Sequence, residues 1–345
     1  MENNIRNTYL GYFIQSEKLL KSASGGAATV LSEMIISQGG CVFGVAYSRD
    51  FYRAEYVCAE SIEELERLKG SKYFETSKKI VIDNGVRNVF EILAERLQEN
   101  RLVLFFGLGC DVAVAKAYCD KKNINTEKLF LVELLCHGPV DSEIHKQYIE
   151  KLEKKYRAKI VDFNVRYKKE GWIPPYIRAV FENGKVYEIP FYESDYGWAF
   201  SYSARRACYE CKYKGANHKG DMTIGDFWGI TNDMENWNKN GVSLIFTQTS
   251  KGEELVNLIR NLPDFYLALA DTLFALQNNP SYSVCREKPK GYDDFIKSIE
   301  EKGLTYAVNH AQTRLGRMKR MLRRVLPSKI VTILLKIKYK LKLLV

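Results

Sequence analysis

The sequence predicts an α/β fold: a mostly parallel sheet with flanking helices, an antiparallel β insertion or lobe, and a basic helical tail at the C-terminus. Three observations carry this. Apolar runs such as "RLVLFFG" and "KLFLVELLCHG" alternate with segments of helical period, the pattern of right-handed crossovers between parallel strands. From Lys159 onward apolar and polar residues alternate strictly, and Asn183-Gly184 supplies a hairpin turn. After Gly303 the chain becomes strongly basic.

The elements follow in order. "SASGGAATVLSEMIISQGG" reads as a Ser/Gly turn entering a helix, with Val30, Leu31, Met34 and Ile35 on its apolar face. "CVFGVAYS" is a strand. Ser61 and Glu64 stand at capping-box spacing and open a short helix before the loop "KGSKYFETS". A helix over "VRNVFEILAERLQEN" feeds the strand "RLVLFFG", the glycine turn "LGC" and the helix "DVAVAKAYCDKK". A second buried strand ends at Cys136, and a helix from about 141 to 156 follows. "KIVDFNVRY" and "YIRAVFENGKVYEIPF" form the antiparallel insertion, about 159–195. "MTIGDFWG" and "GVSLIFTQTSKGEELVNLI" return to strand and strand-helix units. Residues 1–302 are expected to form one domain and 303–345 an amphipathic tail.

The net charge of +10 belongs to that tail. Eleven of the 52 Lys and Arg lie after Gly303, with no Asp or Glu, so residues 1–302 carry 41 basic against 42 acidic groups. A near-neutral body argues against a surface built for nucleic acid. Leu315, Met318 and Leu322 stand at helical spacing in the tail, and Lys336, Lys338, Lys340 and Lys342 interrupt its last apolar run. That run is too short for a spanning helix, and a basic amphipathic segment suits an anionic membrane surface, a docking partner or plain solvent. The charged start carries no secretory signal pattern, so a cytoplasmic protein is expected, peripheral on the membrane through 303–345.

Eight cysteines scattered along a cytosolic chain are not a disulfide framework. Cys208-x-x-Cys211 alone suits zinc, an iron–sulfur cluster or a dithiol, so its meaning depends on partners. In a parallel sheet, ligands sit beyond the carboxyl ends of the strands, and Cys110 and Cys136 both fall there. Cys110 also opens a helix, where the dipole favours a thiolate. With Cys208 and Cys211 they make a four-thiolate set, while Cys41, Cys58, Cys119 and Cys285 read as packing or loop residues. Ser24, Gly25 and Gly26 form a turn at a helix start that can cradle an anion. Gly107 and Gly109 form a second glycine turn, without the Gly-Lys-Ser/Thr of a P-loop. Lys72 and Tyr73 can offer charge and a stacking face. Asp226, Phe227 and Trp228 read first as core, and His137 as a structural histidine with proton donation as the alternative.

In order, "SASGG", "GSKY", "GLGCDVAVAK", "ELLCHGP", "RYKKEGW", "CYECKY", "DMTIGDFWG" and "GVSLIFTQTSKGEEL" resemble the coenzyme F420 hydrogenase/dehydrogenase beta subunit family. The resemblance spans roughly residues 8 to 296 and implies an oxidoreductase holding FAD and one 4Fe–4S cluster. It places the cluster ligands on Cys110, Cys136, Cys208 and Cys211, and the flavin contacts among Ser24, Gly25, Gly26, Lys72, Tyr73, Gly107 and Gly109. Two departures stand out. Leu108 and Gly109 replace the family's Thr-Pro before the first cysteine, with Asp111 in place of Gln. The ferredoxin module of many relatives is missing from this sequence, so a separate electron donor such as a ferredoxin is implied. Shorter relatives of this kind resemble proteins of bacterial surface-polysaccharide biosynthesis. The rival expectation is a non-catalytic adaptor whose cysteines hold zinc or nothing.

Overall fold

A computed structural model describes residues 4–82, 85–314, 316–318 and 330. The chain opens with β1 (Asn7–Phe13), α1 (Ser16–Lys21), α2 (Ala27–Ser37), β2 (Cys41–Tyr47), β3 (Ala54–Ala59), α3 (Ile62–Leu65), β4 (Lys79–Ile82) and β5 (Gly85–Asn88). The middle consists of α4 (Val89–Gln98), β6 (Val103–Gly107), α5 (Gly109–Lys121), β7 (Leu129–Leu134), α6 (Ser142–Tyr156), β8 (Ile160–Tyr167), β9 (Tyr176–Phe181), β10 (Val186–Pro190) and α7 (Asp195–Tyr202). Then come β11 (Met222–Asp226), β12 (Ser243–Thr247), α8 (Ser250–Ile259), β13 (Phe265–Leu269), α9 (Thr272–Asn278), α10 (Tyr292–Lys302) and α11 (Leu304–Ala311).

One eight-stranded sheet runs in the order β13-β1-β12-β11-β7-β6-β2-β3. Its central block, β11, β7, β6 and β2, is parallel as expected. Antiparallel strands flank it: β12, β1 and β13 on one side and β3 on the other. The apolar runs are explained by burial on both faces. Leu104, Phe106, Phe130 and Val132 enter the core under α2 and α8, while Val103, Phe105, Leu129 and Leu131 enter the core under α4 and α5. Each such side chain contributes about 1.5–3 kcal/mol on burial, so this alternation fixes the strand register.

The insertion is a three-stranded antiparallel sheet, β10-β9-β8, with Gly184 (φ 76°) in its hairpin turn. It packs with α6, α7, α10 and α11 around a second core that includes Phe163, Ile177, Phe181 and Tyr196. Leu304, Ala307 and Val308 of α11 are buried in that core too, so residues 304–311 pack on the body. Met318 is exposed. Leu315, Leu322 and the lysines from 336 to 342 lie outside the described residues. Among the described residues no helix is long and apolar enough to cross a membrane.

This topology sets the position of everything functional. The parallel strands end together at Tyr47, Gly107, Leu134 and Asp226. The register aligns Gly107 with Glu133, Glu133 with Thr223, Asp226 with Ser243, and Ser243 with Gly11. The turn that follows β1 therefore comes to the same edge as the turns that follow β6, β7 and β11.

Candidate functional site

Cys110 is the second residue of α5, Cys136 lies two residues past β7, and Cys208 sits in a 3-10 turn, Arg206–Glu210, that Cys211 follows. Backbone contacts bring these segments together. Arg205 N–H donates to the Pro139 carbonyl at 2.9 Å. Gly138 N–H donates to Cys136 Sγ at 3.2 Å. Gly138 has φ 96°, and a Cβ there would stand 2.9 Å from Cys208 Cβ and 3.4 Å from its Sγ, so glycine is needed for Cys208 to approach. Lys214 Nζ donates to the Cys136 carbonyl at 2.7 Å and to the Ser281 carbonyl. Cys285 reaches the same place: its Sγ donates to the Cys211 carbonyl at 3.3 Å.

A buried pair beneath the turn holds the loop in place. Glu133, at the end of β7 and 1% exposed, accepts the N–H groups of Lys219 and Gly220 at 2.7 Å each and bonds His218 Nδ1. His218 Nε2 meets the Tyr282 carbonyl at 3.0 Å; a carbonyl only accepts, so this nitrogen carries a proton. The imidazole stacks on the Tyr282 ring at 4.1 Å. Gly109 packs on this assembly, 3.1 Å from Glu133 Oε2 and from Tyr213 Cβ at its would-be Cβ.

The thiols are electrostatically coupled. Burial pushes Cys110 up to about 12, with Asp111 next and Cys136 and Cys211 adding. Burial likewise pushes Cys136 up to about 11, with Cys208 and Cys211 adding. Cys208 is raised by burial, with Cys110 and Cys211 adding. The expected thiolate at Cys110 is thus corrected: desolvation and the Asp111 carboxylate outweigh the helix dipole. Asp111 itself is 6% exposed, held by Lys78 at 2.6 Å and by Tyr56 Oη–H at 3.2 Å. A bound cation would displace the thiol protons and relieve this mutual repulsion.

All eight cysteines are free thiols. Among the described residues no three His, Cys, Asp or Glu side chains converge on the space of one metal ion. A tetrahedral zinc site requires such convergence, at about 2.3 Å from each sulfur. A 4Fe–4S cluster takes one thiolate on each of four irons, so its ligands stand farther apart.

Beside the cysteines the same edge carries His137, Arg166, Trp228 and Tyr73. His137 is exposed, yet desolvation, with Lys214 next, lowers its pKa. No hydrogen bond to its ring is found among the described residues. Asp226 and Arg286 are within its electrostatic reach. Arg166, 5% exposed, bonds Asp226 at 2.9 Å and the Ala23 carbonyl at 3.0 Å. Burial is the largest influence and opposes the Arg166 charge, but Asp226, Tyr73 and Tyr192 together more than offset it and raise its pKa. Trp172 Nε1–H donates to Asp226 at 3.2 Å, and its ring stacks on half-buried Trp228 at 5.0 Å. Tyr73 stacks on Phe200 at 4.5 Å; burial raises its pKa, opposed by Arg166. Phe227 is core, 3% exposed.

The glycine turns have intramolecular explanations. A Cβ on Gly25 would run into the Gly11 carbonyl and lie 2.5 Å from Ser243 N, and one on Gly26 (φ 101°) would strike the Phe13 ring. Ala27 N–H at the helix start donates to Ser243 Oγ at 3.3 Å, and Ser24 Oγ–H donates to the Val242 carbonyl at 2.9 Å. Lys168, 6% exposed, donates to the Leu19 and Ser24 carbonyls at 2.7 Å each; burial, with Arg166 next, lowers its pKa to about 7. Gly107 leaves room for the Phe105 ring and Asp111. Lys72 caps a turn through the carbonyls of Leu68 and Lys69 at 3.0 and 2.9 Å, and burial, with Arg67 next, lowers it to about 7.

Sequence reasoning marks out "RYKKEGW" without giving Arg166, Lys168 or Trp172 a role, and it passes over Glu133, His218, Lys78 and Lys214. A signal is present for the first group, since basic residues interleaved with aromatics inside a strand ask for buried partners. Glu133 gives a similar signal, as a charge at the end of an apolar strand.

No curated protein sequence matches the chain. Residues 100–266 match the family model for the C terminus of the coenzyme F420 hydrogenase/dehydrogenase beta subunit. The structure is similar to a chain of the F420-reducing [NiFe] hydrogenase complex from Methanosarcina barkeri, with a TM-score of 0.56 and 17% identity over 90% of this chain and 95% of that one. At that identity the likeness speaks for the fold. Residues 100–266, which hold Cys110, Cys136, Cys208 and Cys211, are thus similar to the C terminus of the coenzyme F420 hydrogenase/dehydrogenase beta subunit, and the fold is that of a hydrogenase-complex chain.

Proposed function

We propose that the chain is a flavin- and 4Fe–4S-dependent oxidoreductase that takes electrons from an external iron–sulfur protein such as a ferredoxin and passes them to an organic acceptor. The observation that carries this reading is the placement of Cys110, Cys136, Cys208 and Cys211 at the sheet edge that also carries Arg166, Asp226 and the stacked Trp172 and Trp228. Cys110, Cys136, Cys208 and Cys211 are the proposed cluster ligands, and Glu133 with His218 keeps the Cys208–Cys211 loop against the sheet. When bound, the two cofactors supply single-electron relay and the exchange between one- and two-electron chemistry.

The chain's own residues do the rest. Tyr73 and Trp228 offer flat faces for a planar ring, and Arg166, oriented by Asp226, gives that edge a fixed positive charge. Ser24, Gly25, Gly26, Gly107 and Gly109 support the edge from behind, and Lys72 secures the loop that carries Tyr73. His137, exposed at the sheet edge with its pKa lowered by desolvation, can accept or give up a ring proton there.

The test is FAD content and binding after anaerobic purification. We expect about one FAD per chain, with Trp228→Ala weakening retention and His137→Asn retaining the flavin while losing the acid limb of the turnover profile. A protein that neither retains nor binds FAD would refute the flavin part of the reading.

A further inference from the structure

The surface around the thiols is basic in a molecule whose body is not. Residues 204–220 carry Arg205, Arg206, Lys212, Lys214 and Lys219 against Glu210 alone, and 284–291 carry Arg286, Lys288 and Lys290 against Glu287. Residues 1–302 as a whole are balanced, 41 basic to 42 acidic, so this is a local concentration. Some of these charges are already used: Arg205 pairs with Glu75, and Arg206 and Lys288 with Asp293. Lys212, Lys219 and Lys290 are exposed and have no acidic partner among the described residues.

A second observation comes from apolar exposure. Val114 (48% exposed) is one helical turn from Cys110, Leu134 (38%) is two residues from Cys136, and Val284 (46%) adjoins Cys285. Cys110 is itself exposed. Apolar groups bordered by charge of one sign are the anatomy of a transient protein interface, whereas a single-stranded nucleic acid wants a continuous stripe with exposed stacking rings.

We propose that this face docks an acidic electron-carrier protein, with Lys212, Lys219 and Lys290 steering the encounter and Val114, Leu134 and Val284 forming the contact beside Cys110. The inference rests on the redox reading above. Each encounter moves one electron, oxidising the carrier by one and reducing the redox group of this chain by one, with no bond made or broken. Two encounters and a proton from solvent complete a two-electron reduction.

Stopped-flow reduction of the anaerobically purified holoprotein tests it, using a reduced, strongly acidic 2[4Fe–4S] ferredoxin as one donor. Reduced methyl viologen, a small cation that a basic surface does not attract, is the other. We expect the ferredoxin rate to fall roughly tenfold between low salt and a few hundred millimolar, because the Debye length shrinks over that range. The triple variant K212E/K219E/K290E should slow the ferredoxin rate about tenfold and leave the viologen rate undiminished, which also reports that the variant is folded and loaded. Equal ferredoxin rates in variant and parent, insensitive to salt, would overturn the docking surface and leave the redox reading standing. Failure of both donors with the parent protein would overturn both. Single-stranded DNA binding through these lysines at physiological salt, with no ferredoxin-dependent reduction, would overturn the docking in favour of a nucleic-acid surface.

Discussion

The Ser24–Gly26 turn and the four cysteines stand at the same edge of one sheet, and both stand out in the sequence, but their groups behave differently. In the turn nearly everything is committed within the protein: Ser24 bonds Val242, Ala27 N–H bonds Ser243, and Lys168 takes the Ser24 carbonyl. The glycines fit a tight approach to Gly11, Ser243 and Phe13. Cys136, Cys208 and Cys211 are half-buried and Cys110 is exposed, and their sulfurs make few hydrogen bonds: Cys136 Sγ accepts one from Gly138, and Cys110 Sγ reaches Asp111 at 3.8 Å. Two glycines beside a helix start are therefore explained by packing, while the four thiols brought to one sheet edge have no such packing explanation. The lesson is that a ligand site is recognised by what the protein leaves unsatisfied.

The sharpest way to break that contrast is to remove a thiol. Cys136→Ser or Cys208→Ser should reduce bound iron to background, whereas Cys119→Ser, in the core under α5, should keep its iron; iron and sulfide analysis decides. A smaller effect is expected from the turn. Gly25→Ala should destabilise by about 3 kcal/mol, from overpacking against Gly11 and Ser243, and by the same amount with or without added FAD. Thermal melts of both forms test this, and a variant of unchanged stability that lost flavin affinity would return the turn to the ligand.

Two histidines extend the same comparison. His137 is open, while His145 is 0% exposed, stacked on Phe74 at 3.7 Å, with Nε2 at 2.7 Å from the Phe51 carbonyl and no partner for Nδ1. Burial lowers the pKa of His145 from 6.5 to about 4, only partly opposed by the Phe51 bond. The folded state thus resists a proton that the unfolded state accepts. Its contribution is fully present above pH 6.5 and is lost as pH falls toward 4, a loss on the order of 3 kcal/mol. Denaturant unfolding at pH 7 and pH 4.5 should show a smaller pH effect in His145→Phe than in the parent.

Much of the fold was legible because its signals are local. The period-2 and 3.6 patterns gave β6, α5, β7 and the β8–β10 insertion, and Asn183-Gly184 gave the hairpin. The flanking antiparallel strands β1, β3 and β13 were not read, since their short runs mix apolar and polar residues and their pairing is set by distant partners. At the site, strand-end logic brought Cys110 and Cys136 forward as partners for Cys208 and Cys211, and the family resemblance selected the same four. The Arg166–Asp226–Trp172 contacts could not be read, because they link segments about 60 residues apart. The thiol pKa values ran against the helix-dipole expectation because desolvation depends on tertiary packing.

The proposal that matters most is that Cys110, Cys136, Cys208 and Cys211 hold a 4Fe–4S cluster. Iron, acid-labile sulfide and zinc should be quantified together on anaerobically reconstituted protein, with its absorption spectrum. We predict about four iron and about four sulfide per chain, with a broad visible band that dithionite bleaches. One zinc per chain with no sulfide, or no metal at all, would contradict it.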